Sequence, residues 1–301
     1  MKKMYFIGLI VVFFFTQFAN AQPPGPSFSA SYDFYPYSKL TDPDAGTFLE
    51  DVEIRVATLR LKATYPMALS QTTLLMHELL YDRFDMDYVK WDKIIGGAEI
   101  PHGHAVKYNL MLMRILSEKW SFLAFITPGL ASDFRSKLST DDFTMEAALV
   151  FVYKFSEKFS LGGGLAYSRQ FGEPMPLPVI ALDWNNGSTI KAQAIIPSSL
   201  EVWYMISSRF ELGLVLSGDG NEYHGDPDRY GGDNPKLKYS VFTMGPSLKY
   251  RFTKTFSLNL DAGYVLGRRF EFTNEINGTD VEDILDLENA AYVRIGFQIG
   301  G

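Results

Sequence analysis

Between Phe143 and Phe155 the chain alternates strictly. Phe143, Met145, Ala147, Leu149, Phe151, Tyr153 and Phe155 share one face, while Thr144, Glu146, Ala148, Val150, Val152 and Lys154 share the other. A period of two is that of a β-strand. The division recurs after Phe159, where Phe159, Leu161, Leu165 and Tyr167 oppose Ser160, Gly162, Gly164, Ala166, Ser168 and Gln170. From Phe256 onward, Leu258, Leu260, Ala262, Tyr264 and Leu266 oppose Ser257, Asn259, Asp261, Gly263 and Arg269. A last strand sets Ala291, Val293, Ile295, Phe297 and Ile299 against Tyr292, Arg294 and Gln298. An apolar face that continues around every hairpin must be covered by a second sheet or by lipid.

A repeated phrase joins these strands. Ser117-Glu118-Lys119-Trp120 recurs as Ser156-Glu157-Lys158-Phe159, as Ser207-Ser208-Arg209-Phe210 and as Thr253-Lys254-Thr255-Phe256. Each copy is a short polar turn followed by an aromatic and an alternating run, the signature of a tight hairpin. Trp120, Phe159, Phe210 and Phe256 follow their turns directly, and Tyr153, Tyr204 and Tyr250 precede three of them. Core aromatics of a sandwich lie mid-strand. These lie at strand ends, the depth of an interfacial girdle, so the apolar face is assigned to lipid.

Six short turns are predicted on the periplasmic side, near Ser70-Gln71-Thr72, Ser117-Glu118-Lys119, Ser156-Glu157-Lys158, Asn185-Asn186-Gly187, Ser207-Ser208-Arg209 and Thr253-Lys254-Thr255. Outer loops are predicted at Tyr37 to Glu50, Phe84 to Pro101, Ala131 to Asp141, Gly172 to Leu177, Pro197 to Ser199, Asp219 to Pro235 and Thr273 to Asp286. Alternating them gives an all-β fold, a transmembrane antiparallel up-and-down barrel of about fourteen strands beginning at Ser27 to Tyr35. Twelve would result if Asp183 to Ser199 were not a hairpin. An even count leaves both termini periplasmic.

The first residues have the form of an export signal. Lys2 and Lys3 precede an apolar run from Met4 to Phe15, and Ala19-Asn20-Ala21 offers a small-x-small cleavage pattern before Gln22. Residues 1–21 are therefore expected to be a signal peptide and residues 22–301 one barrel domain in the outer membrane of a Gram-negative cell. The formal charge of −7 becomes −9 without Lys2 and Lys3 (−7 − 2), and no basic cluster points to nucleic acid. The chain has no Cys, so no disulfide supports the fold.

The face opposite the lipid set is expected to line the lumen. Its polar residues are Lys107, Glu146, Lys154, Lys191, Glu201, Lys249, Arg251, Asp261, Arg269 and Arg294. They either line a selective pore or pair across strands and fill it. Hairpin register places Lys249 opposite Asn259 and diagonal to Asp261, which favours pairing. Part of this face is apolar: Met111, Met113, Ile115, Leu123 and Phe125 oppose Leu110, Leu112, Phe122 and Ile126, and Val150, Val152, Trp203 and Met205 extend the patch. Such a patch is either a passage for an apolar small molecule or an internal plug.

Other constellations are weak. His102-Gly103-His104 puts two imidazoles on one strand face with Glu99 as the nearby carboxylate, short of the three or four ligands a zinc site needs. Asp219, Glu222, Asp226, Asp228 and Asp233 do not follow calcium-loop spacing. No metal or cofactor is expected. His77, His104 and His224 do not meet a Ser at one depth, and no Gly-x-Ser-x-Gly motif occurs, so no catalytic residue is assigned.

With these features on view, the chain resembles a family of outer-membrane β-barrel proteins catalogued only as a domain of unknown function. The likeness rests on Ser31-Tyr32-Asp33-Phe34-Tyr35-Pro36, on Leu177-Pro178-Val179-Ile180-Ala181-Leu182-Asp183-Trp184 and on the repeated turn. The family implies a barrel and carries no catalytic residue. In strand number the chain is also similar to long-chain fatty-acid transporters, but it lacks their long N-terminal hatch. The expected function is passive passage of a small solute, apolar ones included; the alternatives are a plugged structural or surface barrel and a barrel lipid hydrolase. Expected partners are outer-membrane lipid, a small-molecule solute and, during biogenesis, the barrel-assembly machinery.

Overall fold

The computed structural model describes residues 25–42, 47–89, 100–168, 175–230, 232–276 and 278–301. The proposed signal peptide, Glu99, Gln170 and parts of five expected outer loops lie outside them.

Fifteen strand segments form one sheet that closes on itself. They are β1 (Ser27–Asp42), β2 (Thr47–Ser70), β3 (Thr73–Val89), β4 (His102–Ile115), β5 (Trp120–Ser132), β6 (Phe143–Ser156), β7 (Phe159–Ser168), β8 (Met175–Asn185), β9 (Ile190–Ile196), β10 (Ser199–Met205), β11 (Phe210–His224), β12 (Lys236–Arg251), β13 (Phe256–Ile276), β14 (Thr279–Leu287) and β15 (Ala291–Gly300). Every neighbour along the chain pairs antiparallel as far as β13. There β14 and β15 run end to end, β14 pairing with Arg269–Ile276 and β15 with Phe256–Tyr264. They make one stave, so the wall is a fourteen-stranded up-and-down barrel. Closure is the pairing of β1 with β15, from Ser27 opposite Gly300 to Phe34 opposite Val293. Asp183 to Ser199 forms a hairpin, which settles the count at fourteen rather than twelve.

The repeated phrase has a local cause. In three copies a hydroxyl accepts the backbone N–H of the aromatic three residues on: Ser117 from Trp120 at 3.1 Å, Ser207 from Phe210 at 3.2 Å and Thr253 from Phe256 at 2.9 Å. This bond holds the turn without any tertiary contact. In the fourth copy Ser156 pairs directly with Phe159, leaving a two-residue turn.

The strands extend beyond the predicted outer loops. Asp219 to His224 belongs to β11, and Thr273 to Asp286 is mostly strand. The chemistry of the two faces inverts along the strands, which explains the error. On the lower part of β2, Leu59, Leu61 and Ala63 face outward and Arg60, Lys62 and Thr64 inward; higher up, Glu53 and Arg55 face outward and Val52, Ile54 and Val56 inward. The same crossover occurs on β3, where Leu75 and Leu79 give way to Arg83 and Asp85 outside, and Phe84 and Met86 lie inside. Below the crossover the exterior meets lipid. Above it the exterior meets water and the apolar side turns inward.

A second correction concerns Arg269, expected in the lumen. Thr243 pairs with Val265 but Phe242 pairs with Gly267, so Leu266 is an extra residue in β13. A bulge shifts the alternation by one, which turns every later side chain to the opposite face. Arg268 therefore points inward and is buried, while Arg269 points outward to an ion pair with Asp286 at 3.0 Å.

Candidate functional site

The barrel interior is layered. The part away from the short turns is filled by a core drawn from β1–β5 and β11–β15: Tyr35, Ile54, Phe84, Tyr223, Tyr239, Phe270 and their neighbours are buried against one another. Above the end of β10 the top of β11, still paired with β12, meets β5 instead. His224 pairs in parallel with Ser132 of β5, and its carbonyl accepts from Asp133 N at 2.9 Å and Ser132 Oγ at 3.2 Å. Tyr223 lies flat on Gly103 of β4, where a Cβ would stand 2.5 Å from its ring. The upper barrel is thus narrowed by a seam between β5 and β11 and filled with aromatics.

Beneath the core lies a lattice of buried ions. Asp33 accepts from Arg60 at 2.5 Å and from Arg294 at 2.6 Å, and Arg294 lies 3.7 Å from Asp261, which accepts from Ser247 at 2.6 Å. Arg60 also reaches across the lumen to Asp219 of β11. Beside it, Glu78 accepts from Asn109 at 2.6 Å and faces Lys62 at 3.6 Å, and Lys107 meets Glu146 at 2.7 Å. Of the expected lumen residues, Lys107, Glu146, Asp261 and Arg294 belong to this layer. Arg60, Asp33 and Asp219 were missed because the pairs Arg294–Asp33 and Arg60–Asp219 are 261 and 159 residues apart; Glu78, which meets Lys62 across its own hairpin, was missed as well.

Nearer the short turns the interior divides. On one side Glu211 holds Arg251 at 2.5 Å and Lys191 at 3.4 Å, and Trp203 donates to Glu201 at 2.7 Å while its ring lies over Gly213. Lys249 sits opposite Asn259 in this region, Lys154 meets Glu157 at 2.7 Å, and Met205 is half-buried near the turn. On the other side Leu74, Met76, Met111, Met113, Leu123, Val150, Val152 and Val179 form an apolar cluster, with Phe125, Ala166, Ala181 and Ile195 packed against it. The structure separates Trp203 and Met205 from this cluster. It adds residues of β3, β8 and β9, whose interior faces gave no single recognisable run in the sequence.

The wall beside this apolar cluster is low. β9 and β10 have seven residues each, whereas β2 has 24. A membrane strand needs about 9–11 residues. Above Ile196 the upper residues of β8 have no partner on β9, and above Ser199 the upper part of β11 has none on β10. The interior cluster reaches this notch at Val179 and Ile195.

The aromatics expected to form a girdle gather at the short-turn edge of the barrel. Trp120 packs on Tyr153 with centroids 5.0 Å apart, Phe210 on Tyr250 at 6.4 Å, and Phe256 on Phe252 at 5.2 Å. Phe159 is paired with Trp184, and Tyr204 is exposed in the same band. The histidines are dispersed. His77 Nδ1 bonds Tyr108 at 2.5 Å, His102 Nδ1 meets Asp85 at 2.8 Å, His104 Nδ1 bonds Tyr81 at 2.9 Å, and His224 is at the seam. Among the described residues no group of three His, Asp or Glu is placed to hold a metal.

Several solved barrels are similar to the chain. An outer-membrane channel, COG4313, from Pseudomonas putida F1 is 11% identical, covers 93% of this chain and 97% of its own, and has a TM-score of 0.47. The deltaS2 mutant of the TodX monoaromatic hydrocarbon channel is 8% identical over 93% of this chain and 91% of its own, with a TM-score of 0.40. The KdgM porin is 8% identical over 90% and 98%, with a TM-score of 0.36. No curated protein is significantly similar to the chain. A model described as a domain of unknown function, DUF6268, matches residues 18–300, and the chain belongs to that family.

Proposed function

We propose that the protein is an outer-membrane channel that conducts a small apolar solute passively. One observation carries this reading: the interior apolar cluster leads to a wall too short to span the bilayer. A solute entering over β9 and β10 meets Ile195 and Val179 and then the methionines Met76, Met111 and Met113, whose flexible thioethers adapt to varied shapes. A straight axial route is opposed by the upper core and the ion lattice. Charged and large polar solutes are accordingly excluded, since a desolvated ion finds its counter-charges already paired.

The test is uptake of an apolar fluorophore into liposomes carrying the purified barrel, beside swelling assays with sugars. Wild-type barrel should accelerate fluorophore entry and pass sugars poorly, and Ala166→Phe, which fills the apolar route, should slow entry. Ala166 is a better probe than Gly164, where any Cβ would collide with the Leu149 carbonyl at 2.0 Å and displace β6 itself.

A second reading, a plugged structural barrel in contact with lipid alone, is favoured by the filled upper half. Absence of both fluorophore and sugar flux supports it.

A further inference from the structure

Arg268 departs from the pattern of five other buried cations. Arg60, Arg294, Lys62, Lys107 and Lys238 each have a carboxylate within ion-pair distance. Arg268 is 3% exposed, and none of its three guanidinium nitrogens has a hydrogen-bond partner. Its guanidinium stands over the ring of Tyr35, with Cζ 5.7 Å from the centroid. The hydroxyls of Tyr35 and Tyr239 are likewise buried and unpartnered. All three residues project into the upper core, Arg268 opposite Val241 and two positions from the Tyr239 pairing on the same strands.

Two irregularities of the wall place the cation there. The bulge at Leu266 turns Arg268 inward, and at the same level the final stave is interrupted between β14 and β15. Without the bulge, the inward position would fall to Arg269 instead of Arg268. A buried cation without a partner is strongly disfavoured. The cluster of donors therefore has the chemistry of a receptor.

We propose that Arg268, with the hydroxyls of Tyr35 and Tyr239, binds a small monocarboxylate inside the extracellular half of the barrel. A guanidinium offers parallel N–H groups that match the two oxygens of a carboxylate, and each phenol adds one donor. The nearby core side chains Val241, Val265 and Phe270 are apolar, and Tyr292, stacked on Tyr35, carries a further buried hydroxyl without a partner, so a dianion such as sulfate would lose too much hydration on entry. The inference does not depend on whether the barrel conducts.

The test uses the full-length folded barrel with acetate and bromoacetate as probes. The temperature at which the folded gel band disappears should rise saturably with acetate and not with sulfate at equal ionic strength. In crystals grown with bromoacetate, an anomalous bromine peak should lie beside Arg268. Arg268→Met should abolish the acetate response and the peak. Tyr35→Phe, which keeps the ring stack on Tyr292 and removes one donor, should weaken the response severalfold and serves if the arginine variant does not fold. An equal acetate response in wild type and variants, bromine only at other positions, or water alone at Arg268 would overturn the proposal.

Discussion

His224 and Ser132, 92 residues apart, are joined at the top of the barrel by a backbone pairing and a 3.2 Å side-chain bond. This contact lets the upper interior close while β6 to β10 stop short. Gly103 supports it by admitting the ring of Tyr223. A Gly103→Val substitution should therefore push the seam apart. Ion conductance through the reconstituted barrel is expected to rise while the folded gel band persists. Unchanged conductance would mean that the seam does not close the mouth.

The seam should also respond to pH. Burial holds the Asp133 carboxyl above the ordinary carboxylate value, an effect larger than the opposing backbone bond from Asp226. Because its folded pKa is raised, the folded state binds the proton more tightly, and docking of the segment around Asp226 and Tyr230 strengthens as pH falls through that pKa. Proteolysis of the loop should slow as pH drops from neutral into the carboxylate range, and Asp133→Asn should flatten this dependence. A loop cut faster at acid pH in the wild type would contradict the sign.

Asp33 carries two buried arginines, Arg60 and Arg294. Removing it leaves Arg60 with Asp219 alone and Arg294 with the more distant Asp261. Asp33→Ala should cost about 3–5 kcal/mol, read as a clear fall in the unfolding midpoint, whereas Asp33→Glu should recover part of the loss. A midpoint unchanged in the alanine variant would show that solvent compensates the arginines.

The bulge at Leu266 fixes which arginine faces out. In intact cells or oriented liposomes, Cys at 269 should react readily with a membrane-impermeant maleimide and Cys at 268 should not. Equal labelling would place the phase shift elsewhere.

The turn bonds are local and exposed. Thr253→Ala removes the hydroxyl that accepts from Phe256 N and should cost about 0.5–1.5 kcal/mol at most. Denaturant unfolding of the barrel in detergent checks this; a larger loss would imply a role beyond the turn.

The sequence by itself determined what depends on neighbours along the chain. Alternation marked the strands, the hydroxyl-to-aromatic turn marked their lower ends, and the register of Lys249 opposite Asn259 followed from the turn length. The strand count and the aromatic ring around the short-turn edge rest on the same short-range rules. Tertiary structure alone decided what depends on closure. Arg294 and Asp33 are 261 residues apart and Arg60 and Asp219 are 159 apart, so neither pair has a signature in any hairpin. The outer strands resembled loops because their polar side faces water above the lipid and their apolar side faces a core that exists only once β11 reaches β5. One extra residue at Leu266 reversed every later side chain of β13, and alternation does not reveal such a slip when arginines occupy both phases, at 268 and at 269.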